Sequence, residues 1–151
     1  MIEVYNDEFF MRQALIEAKK AFDKNEVPVG AVVVLQNRVI ARGHNLTEQL
    51  SDVTAHAEIQ AITSAAQFIG AKYLKGCTMY VTLEPCAMCA GALFWSKIDK
   101  VVYATRDKKR GAGQHEKPIY HPSSLVVKGP LQEESQQLLK AFFSNKRKST
   151  I

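Results

Sequence analysis

Cysteine is scarce in this sequence, and the number of cysteines is odd. The 151 residues include three cysteines, two of which stand close together as Cys86-Ala87-Met88-Cys89. An odd number of cysteines argues against a disulfide framework, and reduced thiols are typical of a reducing compartment. The cysteine content therefore predicts a cytoplasmic protein whose thiols are available to bind a metal.

Long hydrophobic runs are also missing, and so is the positive charge that begins a secretory signal. No apolar run approaches the roughly 20 residues needed to span a bilayer. The first eight residues contain three acidic side chains and no Lys or Arg, whereas a signal peptide begins with basic residues. With 46% hydrophobic and 23% charged residues, the composition predicts one globular domain, residues 1–151, that does not enter a membrane.

Excess positive charge is absent from the first two thirds of the chain. Residues 1–96 contain 8 Lys and Arg against 10 Asp and Glu, a net of −2, whereas residues 97–151 contain 12 against 5, a net of +7. The excess is densest at 106–110 and 146–148. Clusters of this size can form a solvated face or contact a phosphate backbone. Charge alone favours the solvated face.

Helical and strand patterns alternate along the chain. Apolar spacing predicts helices at 7–25, 54–68, 86–95 and 131–147, and strands at 29–35, 38–43, 78–83, 100–104 and 125–127. A long loop should span 105–124. These elements predict an α/β fold, a three-layer α/β/α sandwich in which a mixed sheet of about five strands has helices on both faces. Ligands of such sheets bind at the carboxyl ends of strands, beside helix N-termini.

The strongest chemical signal is a split set of metal ligands. His56-Ala57-Glu58 lies at the predicted start of the second helix, and Pro85-Cys86-Ala87-Met88-Cys89 at the start of the third. One imidazole and two thiolates leave a fourth tetrahedral position of zinc for water, whose pKa falls toward 7 so that it ionises to hydroxide. Glu58 remains free to take the water proton and deliver it to a substrate. The pattern predicts one catalytic zinc ion on His56, Cys86 and Cys89.

Each fragment of this pattern has a simpler interpretation. A C-x-x-C can be a redox pair or half of a structural zinc site, and a single helical histidine is more often a packed or surface residue. A structural zinc site would favour a second C-x-x-C, which the sequence lacks. The combination of both fragments at consecutive helix starts favours the catalytic site. Cys77 has no neighbouring ligand and is predicted to be a small buried hydrophobe.

The same pattern carries a family resemblance. H-x-E followed by P-C-x-x-C is the signature of zinc-dependent nucleobase deaminases. The wider sequence resembles bacterial tRNA-specific adenosine deaminases, of the zinc-dependent cytidine/deoxycytidylate deaminase superfamily, in EVPVGAVV (26–33), TAHAEIQAI (54–62) and YVTLEPCAMCAGA (80–92). The resemblance covers residues 6–106 well.

This resemblance implies an activity and a set of roles. Members hydrolytically deaminate adenosine to inosine at the wobble position of a tRNA anticodon, and they form homodimers. The resemblance implies a cytidine-deaminase-like fold, zinc on the three ligands, Glu58 as proton shuttle, and Asn45 hydrogen-bonded to the flipped nucleoside. Arg106 and Asp107 resemble the start of the family's loop, which makes Asp107 a candidate substrate contact.

The C-terminal third resembles the family less closely. The loop after Ala112 is several residues shorter, and Ser144 stands where an arginine often follows two aromatic residues. Phe142 and Phe143 are candidates to stack on a splayed anticodon base, although at least one is more simply buried against the sheet. The candidate RNA-backbone contacts are Arg106, Lys108, Lys109, Arg110, Lys146, Arg147 and Lys148.

Two other functions fit parts of the sequence. Residues 91–95 are similar to free-base deaminases that act on guanine, so a guanine or cytosine deaminase is the main alternative. Trp95, however, is more simply explained as core or dimer-interface packing, with an interface formed by residues 89–95 and the loop after Ala104. A free base has no phosphates, so the basic C-terminal third favours tRNA. A non-catalytic RNA-binding or partner subunit is disfavoured because Glu58 is present.

Overall fold

All the predicted helices and strands are present in a computed structural model, which describes residues 4–149. The ends of the predicted domain, at residues 1 and 151, lie outside this range. The helices are α1 (Asp7–Asp23), α2 (Ala57–Ile69), α3 (Ala87–Ser96) and α4 (Gln132–Ser149). The strands are β1 (Gly30–Leu35), β2 (Arg38–His44), β3 (Cys77–Leu83), β4 (Lys100–Thr105) and β5 (Leu125–Lys128). The long loop before β5 contains one 3-10 turn, Ala112–Gln114.

The strands form one mixed sheet in the order β2-β1-β3-β4-β5. Strand β1 is antiparallel to both of its neighbours, while β3, β4 and β5 are parallel. Strand β2 therefore runs in the same direction as β3, β4 and β5. The carboxyl ends of these four strands consequently meet at one edge of the sheet.

Helices cover both faces of the sheet, as predicted. Val33, Val81 and Val101 face a core that also contains Ala61 of α2 and Leu93 of α3. The intervening residues of the same strands face a second core, shared with Phe10, Met11 and Ala14 of α1. Successive side chains of each strand are buried on opposite faces of the sheet, which explains why the strand sequences are continuously apolar. The three-layer α/β/α sandwich is confirmed. In the described part of the chain, no helix combines the length and the apolar character needed to cross a membrane.

The two helices that carry the proposed ligands begin later than predicted. His56 and Cys86 precede α2 and α3 with extended backbone angles, φ/ψ of −70°/158° and −73°/175°. Before α2, Asp52 accepts hydrogen bonds from the backbone N–H and hydroxyl of Thr54, which favours a turn over a helix. Before α3, Cys86 forms an antiparallel bridge with Gly111. The predictions that His56 and Cys86 lie within the first helical turns are therefore wrong.

The start of α2 is held unusually close to the sheet by a glycine of β2. A Cβ atom at Gly43 would lie 2.5 Å from the carbonyl oxygen of Ala57 and 2.8 Å from the backbone nitrogen of Ala61. Only glycine permits this approach. It brings the first turn of α2 directly against the carboxyl end of β2, which continues into Asn45.

Candidate metal centre and adjoining groove

The side chains of His56, Cys86 and Cys89 meet at the common edge of the sheet. Nδ1 of His56 lies 3.7 Å from Sγ of Cys86 and 3.6 Å from Sγ of Cys89. The three potential ligand atoms all lie within 4.8 Å of one another. Zinc–ligand bonds of about 2.05 Å to nitrogen and 2.3 Å to sulfur in tetrahedral geometry require an N···S distance of about 3.6 Å. Both N···S distances therefore match tetrahedral zinc coordination.

Local electrostatics favour a cation between these side chains. Hydrogen bonds with Cys89 and then His56 lower the pKa of Cys86 to about 4, helped by the charge of His56. The hydrogen bond with Cys86 raises the pKa of Cys89, and burial adds to this shift. The pKa of His56 is also raised, chiefly by its contact with Cys86. A bound cation would take the place of the thiol protons and hold both sulfurs as thiolates.

Glu58 lies beside this group but is separate from it. Its side chain is in the first turn of α2 and is only 4% exposed. Burial raises its pKa to about 7, so near neutral pH the carboxyl can both accept and donate a proton. Within the described residues, the cluster with metal-ligand geometry comprises His56, Cys86 and Cys89 without Glu58.

A pocket of about 250 Å³ opens above the metal-ligand group. One wall is the loop after β2, which carries Asn45 and Thr47, and the other is the loop after β4, which carries Asp107 and Arg110. Asn45 is 7% exposed, and its Oδ1 accepts a hydrogen bond from the Thr47 backbone N–H at 3.3 Å. The pocket therefore places an oriented amide opposite a charged loop.

The pocket continues into a groove of about 1020 Å³. The two spaces share Val27, Leu83, Asp107 and Arg110. The groove brings together basic side chains that lie some forty residues apart in sequence, namely Arg106, Lys108, Lys109, Arg110, Lys146 and Arg147. Lys148, which was predicted with this group, is exposed but does not line the groove.

The two adjacent aromatic residues of α4 have different environments. Phe142 is 6% exposed and packs against the ring of Phe22 of α1, with ring centroids 6.3 Å apart. Phe143 is 46% exposed and lines the groove. Of the two candidates for base stacking, Phe143 alone has an accessible ring face. Burial of one of the pair agrees with the alternative raised from the sequence.

Trp95 does not pack in the core. Its side chain is 74% exposed at the end of α3, and the ring of Phe94 lies edge-to-face beside it at 5.2 Å. Core packing is therefore excluded as an explanation of this residue. The interface explanation stays a prediction.

Sequence reasoning missed two buried carboxylates, Glu84, which lines the pocket and is 7% exposed, and Glu26, which is 0% exposed and contacts the loop after β2. It also missed Tyr120, whose hydroxyl is buried without a hydrogen-bond partner among the described residues. Burial raises the pKa of this phenol, and the nearby Glu84 and Glu58 raise it further. For Glu84, the sequence held one signal, the pair of glycines at 111 and 113. Closely spaced loop glycines indicate a close approach of the backbone to another group.

Comparison with known proteins agrees with this geometry. Residues 5–147 match the family model described as MafB19-like deaminase. The chain is 44% identical to a tRNA-specific adenosine deaminase of Aquifex aeolicus, an alignment that covers 95% of this chain and 98% of the relative. It is 45% identical to the enzyme of the same name from Bacillus subtilis, over 94% and 91% of the two chains. A solved structure from a study of A-to-I editing by tRNA:A34 deaminases superimposes with a TM-score of 0.82 at 44% identity, covering 87% of this chain and 99% of that one.

The three cysteines provide a direct test of the metal centre. Replacing Cys86 or Cys89 by alanine should reduce bound zinc well below one ion per chain, because each removes one of three protein ligands. Cys77→Ala is the matched control, since Cys77 is fully buried in the core on the α2 face. This variant should bind zinc as the unchanged protein does. Elemental analysis of the purified proteins measures the stoichiometry. Full zinc occupancy in Cys86→Ala would contradict the assignment.

Proposed function

This chain belongs to the MafB19-like deaminases and to the tRNA-specific adenosine deaminases, and we propose that it converts adenosine to inosine at the wobble position of a tRNA anticodon. One observation carries the proposal. A pocket that contains a metal-ligand group and a buried acid opens directly into a groove lined with basic side chains. Such a site offers deamination chemistry and a place for a nucleic acid backbone together.

We propose one zinc ion per chain, held by His56, Cys86 and Cys89, in a single deaminase domain that spans residues 1–151. The observed N···S distances and the mixed nitrogen and sulfur donors support zinc over harder cations. When bound, zinc supplies the Lewis acidity that makes a water molecule nucleophilic near neutral pH. Reduced thiolates and a tRNA substrate both favour a cytoplasmic location.

Glu58 supplies the proton transfers in this proposal. Hydrolytic deamination adds water at C6 of adenine, breaks the C6–N6 bond and releases ammonia. One proton of the water must therefore reach N1 of the ring, and the other must reach the departing amine. The carboxylate of Glu58 accepts each proton and then donates it to the substrate, which its raised pKa of about 7 favours in both directions.

Asn45 and Asp107 hold the nucleoside in this proposal. The bond from the Thr47 N–H to Oδ1 of Asn45 orients that amide, so its NH₂ group can donate a hydrogen bond to the nucleoside. Asp107 stands where the pocket meets the groove. Its Oδ1 accepts the backbone N–H groups of Lys109 and Arg110, which shapes the loop, and we assign its second oxygen to the substrate.

The groove binds the anticodon loop. The basic side chains that line it neutralise phosphates, and the exposed ring of Phe143 stacks on a splayed base. Phe142 supports that ring from behind, since the two centroids lie 5.3 Å apart at an interplanar angle of 81°. Lys148 lies beyond the groove and contacts RNA only at its periphery.

We also propose that two chains form a homodimer through α3. Trp95 and Met88 of this helix are 74% and 38% exposed, and large exposed apolar side chains on one helix favour a protein partner. A second copy of the chain would cover them.

The substrate assignment is tested by a panel of substrates. The protein should release ammonia and form inosine from an anticodon stem-loop that carries adenosine at position 34, and it should leave guanine, cytosine, cytidine and adenine unchanged. The physical reason is that the groove contributes binding energy only to a substrate with phosphates. Turnover of a free base without turnover of the stem-loop would instead support the free-base alternative.

The role of Glu58 is tested by Glu58→Gln, which keeps the shape of the side chain but cannot carry the proton. Zinc content and stem-loop affinity should match the unchanged protein, while the single-turnover rate should fall at least about 100-fold. Elemental analysis, filter binding and inosine formation measure the three quantities. Loss of zinc would mean that the carboxylate is a ligand, which the proposal excludes.

The groove is tested through the salt dependence of binding. Lys108→Ala and Lys146→Ala should each weaken stem-loop binding, and each should reduce the slope of log K against log salt by about 0.7 if one phosphate contact is lost. Lys72→Ala is the matched control, because Lys72 is an exposed lysine in the turn that precedes β3, at the opposite edge of the sheet. If the slopes equal that of the control, the two basic clusters form a solvated face and do not contact phosphates.

A further inference from the structure

Two buried carboxylates beside the pocket take no part in the chemistry described above. Glu84 follows β3 and is 7% exposed, and Glu26 lies between α1 and β1 and is 0% exposed. Burial of a carboxylate costs free energy unless hydrogen bonds compensate for the lost water. Both side chains are compensated in the same way, by backbone N–H groups of a loop that forms one wall of the pocket.

Glu84 anchors the loop after β4. Its Oε1 accepts the backbone N–H of Asp107 at 3.0 Å, and its Oε2 accepts that of Gly113 at 2.9 Å. Its own backbone N–H donates to the carbonyl of Thr105 at 2.8 Å, and the backbone N–H of Ala112 donates to the carbonyl of Pro85 at 2.9 Å. One buried carboxylate thus fixes both ends of a seven-residue segment directly beside the metal-ligand helix.

The glycines of this loop are explained by the same carboxylate. A Cβ atom at Gly111 would lie 2.4 Å from Oε1 of Glu84, and one at Gly113 would lie 2.8 Å from Oε2. Neither glycine has a positive φ, so the backbone angles do not require glycine. Gly113 lacks a side chain because the loop wraps closely around Glu84, and a Cβ atom at Gly111 would also lie 2.6 Å from the carbonyl oxygen of Asp107.

Glu26 anchors the loop after β2 by an equivalent arrangement. Its Oε1 accepts the backbone N–H of Glu48 at 3.0 Å, and its Oε2 accepts that of Gln49 at 2.8 Å. The hydroxyl of Thr47 is a further donor to Oε1 at 3.5 Å. This loop carries Asn45 and Thr47, which line the pocket opposite Asp107 and Arg110.

We propose that Glu26 and Glu84 are positioning residues, each of which holds one wall of the pocket in the geometry that binds substrate. This inference rests on the proposed function for its substrate, an anticodon stem-loop. The wall held by Glu84 carries Asp107, which lines both the pocket and the groove, together with basic residues of the groove, so Glu84 acts mainly on RNA affinity. The wall held by Glu26 carries Asn45, so Glu26 acts mainly on placement of the nucleoside and hence on the rate of chemistry.

The carboxylate group itself is required by the pattern of donors. Each oxygen faces a backbone N–H, so both must be acceptors. An amide of the same shape turns an NH₂ group toward one of these donors and leaves that N–H without an acceptor. Glu84→Gln and Glu26→Gln therefore remove one anchoring bond each with almost no change of volume.

The first measurement is hydrogen exchange followed by mass spectrometry, which needs no activity. Exchange should accelerate at residues 105–113 in Glu84→Gln and at 45–50 in Glu26→Gln, each without change in the other loop. Glu17→Gln is the matched control, a buried carboxylate of α1 whose partners are the side chains of Lys20 and His44. Zinc content and thermal unfolding of all three variants confirm that the fold is retained.

The second measurement separates binding from chemistry in single-turnover reactions on the stem-loop. Glu84→Gln should weaken stem-loop binding about tenfold, with little change in the rate at saturation. The reason is that it removes one charge-assisted hydrogen bond that holds the RNA-facing wall. Glu26→Gln should show the reverse, a rate at saturation that falls about tenfold with little change in affinity. Glu17→Gln should match the unchanged protein in both quantities.

Gly113→Ala provides an independent perturbation of the Glu84 contact from the loop side. It should reproduce the weaker binding, and the double variant with Glu84→Gln should bind more tightly than the product of the two single effects predicts, because both disturb one contact. Multiplicative effects would overturn the inference, as would faster exchange in Glu84→Gln with unchanged binding.

If the unchanged protein fails to deaminate the stem-loop, the proposed function fails, whereas the exchange pattern still decides whether the carboxylates anchor the loops.

Discussion

The antiparallel placement of β1 between β2 and β3 is the constraint on which the site depends. Because β1 runs against both neighbours, β2 and β3 point in the same direction and end at the same edge of the sheet. The chain leaves each of these strands toward a helix that starts at that edge. His56 and Cys86 are the residues immediately before these helices, so strand direction alone brings a histidine and a cysteine thirty residues apart into one metal-ligand group.

Buried charge accumulates at this edge and is compensated mainly by the backbone. Glu58 sits at the start of α2, and Glu26 and Glu84 each accept two backbone N–H groups from the neighbouring loops. Helix starts and loops have N–H groups that secondary structure leaves unpaired. Thiolates and carboxylates can therefore be buried at this edge, because unpaired backbone N–H groups are available there to compensate their charge. The same donors fix the pocket walls, so charge compensation and shape are achieved by one set of bonds.

Chemistry and recognition are divided between two parts of the chain. The pocket floor comes from α2 and α3, near the middle of the sequence, whereas the groove comes from the loop after β4 and from α4. Glu84 joins the two parts, because it stands two residues before Cys86 and holds the loop that carries Asp107 and Arg110. In the proposed function, this contact would tie the orientation of an RNA in the groove to the position of the metal-ligand group.

The sequence by itself determined the elements and the reaction class, because both depend on local patterns. Apolar periodicity placed the helices and strands, and the spacing of His56, Glu58, Cys86 and Cys89 indicated three ligands and a free acid. Tertiary contacts decided where the helices begin, because a bridge between Cys86 and Gly111 is a contact between distant residues. They also decided that Phe142 is buried and Phe143 exposed, that Trp95 lies outside the core, and that two basic clusters share one groove. The contacts of Glu26 and Glu84 with their loops were not predicted for the same reason, because a carboxylate holds a loop only when folding brings distant N–H groups within hydrogen-bond distance. The glycines at 111 and 113 indicate a close approach of the backbone, but they do not identify Glu84 as the group that is approached.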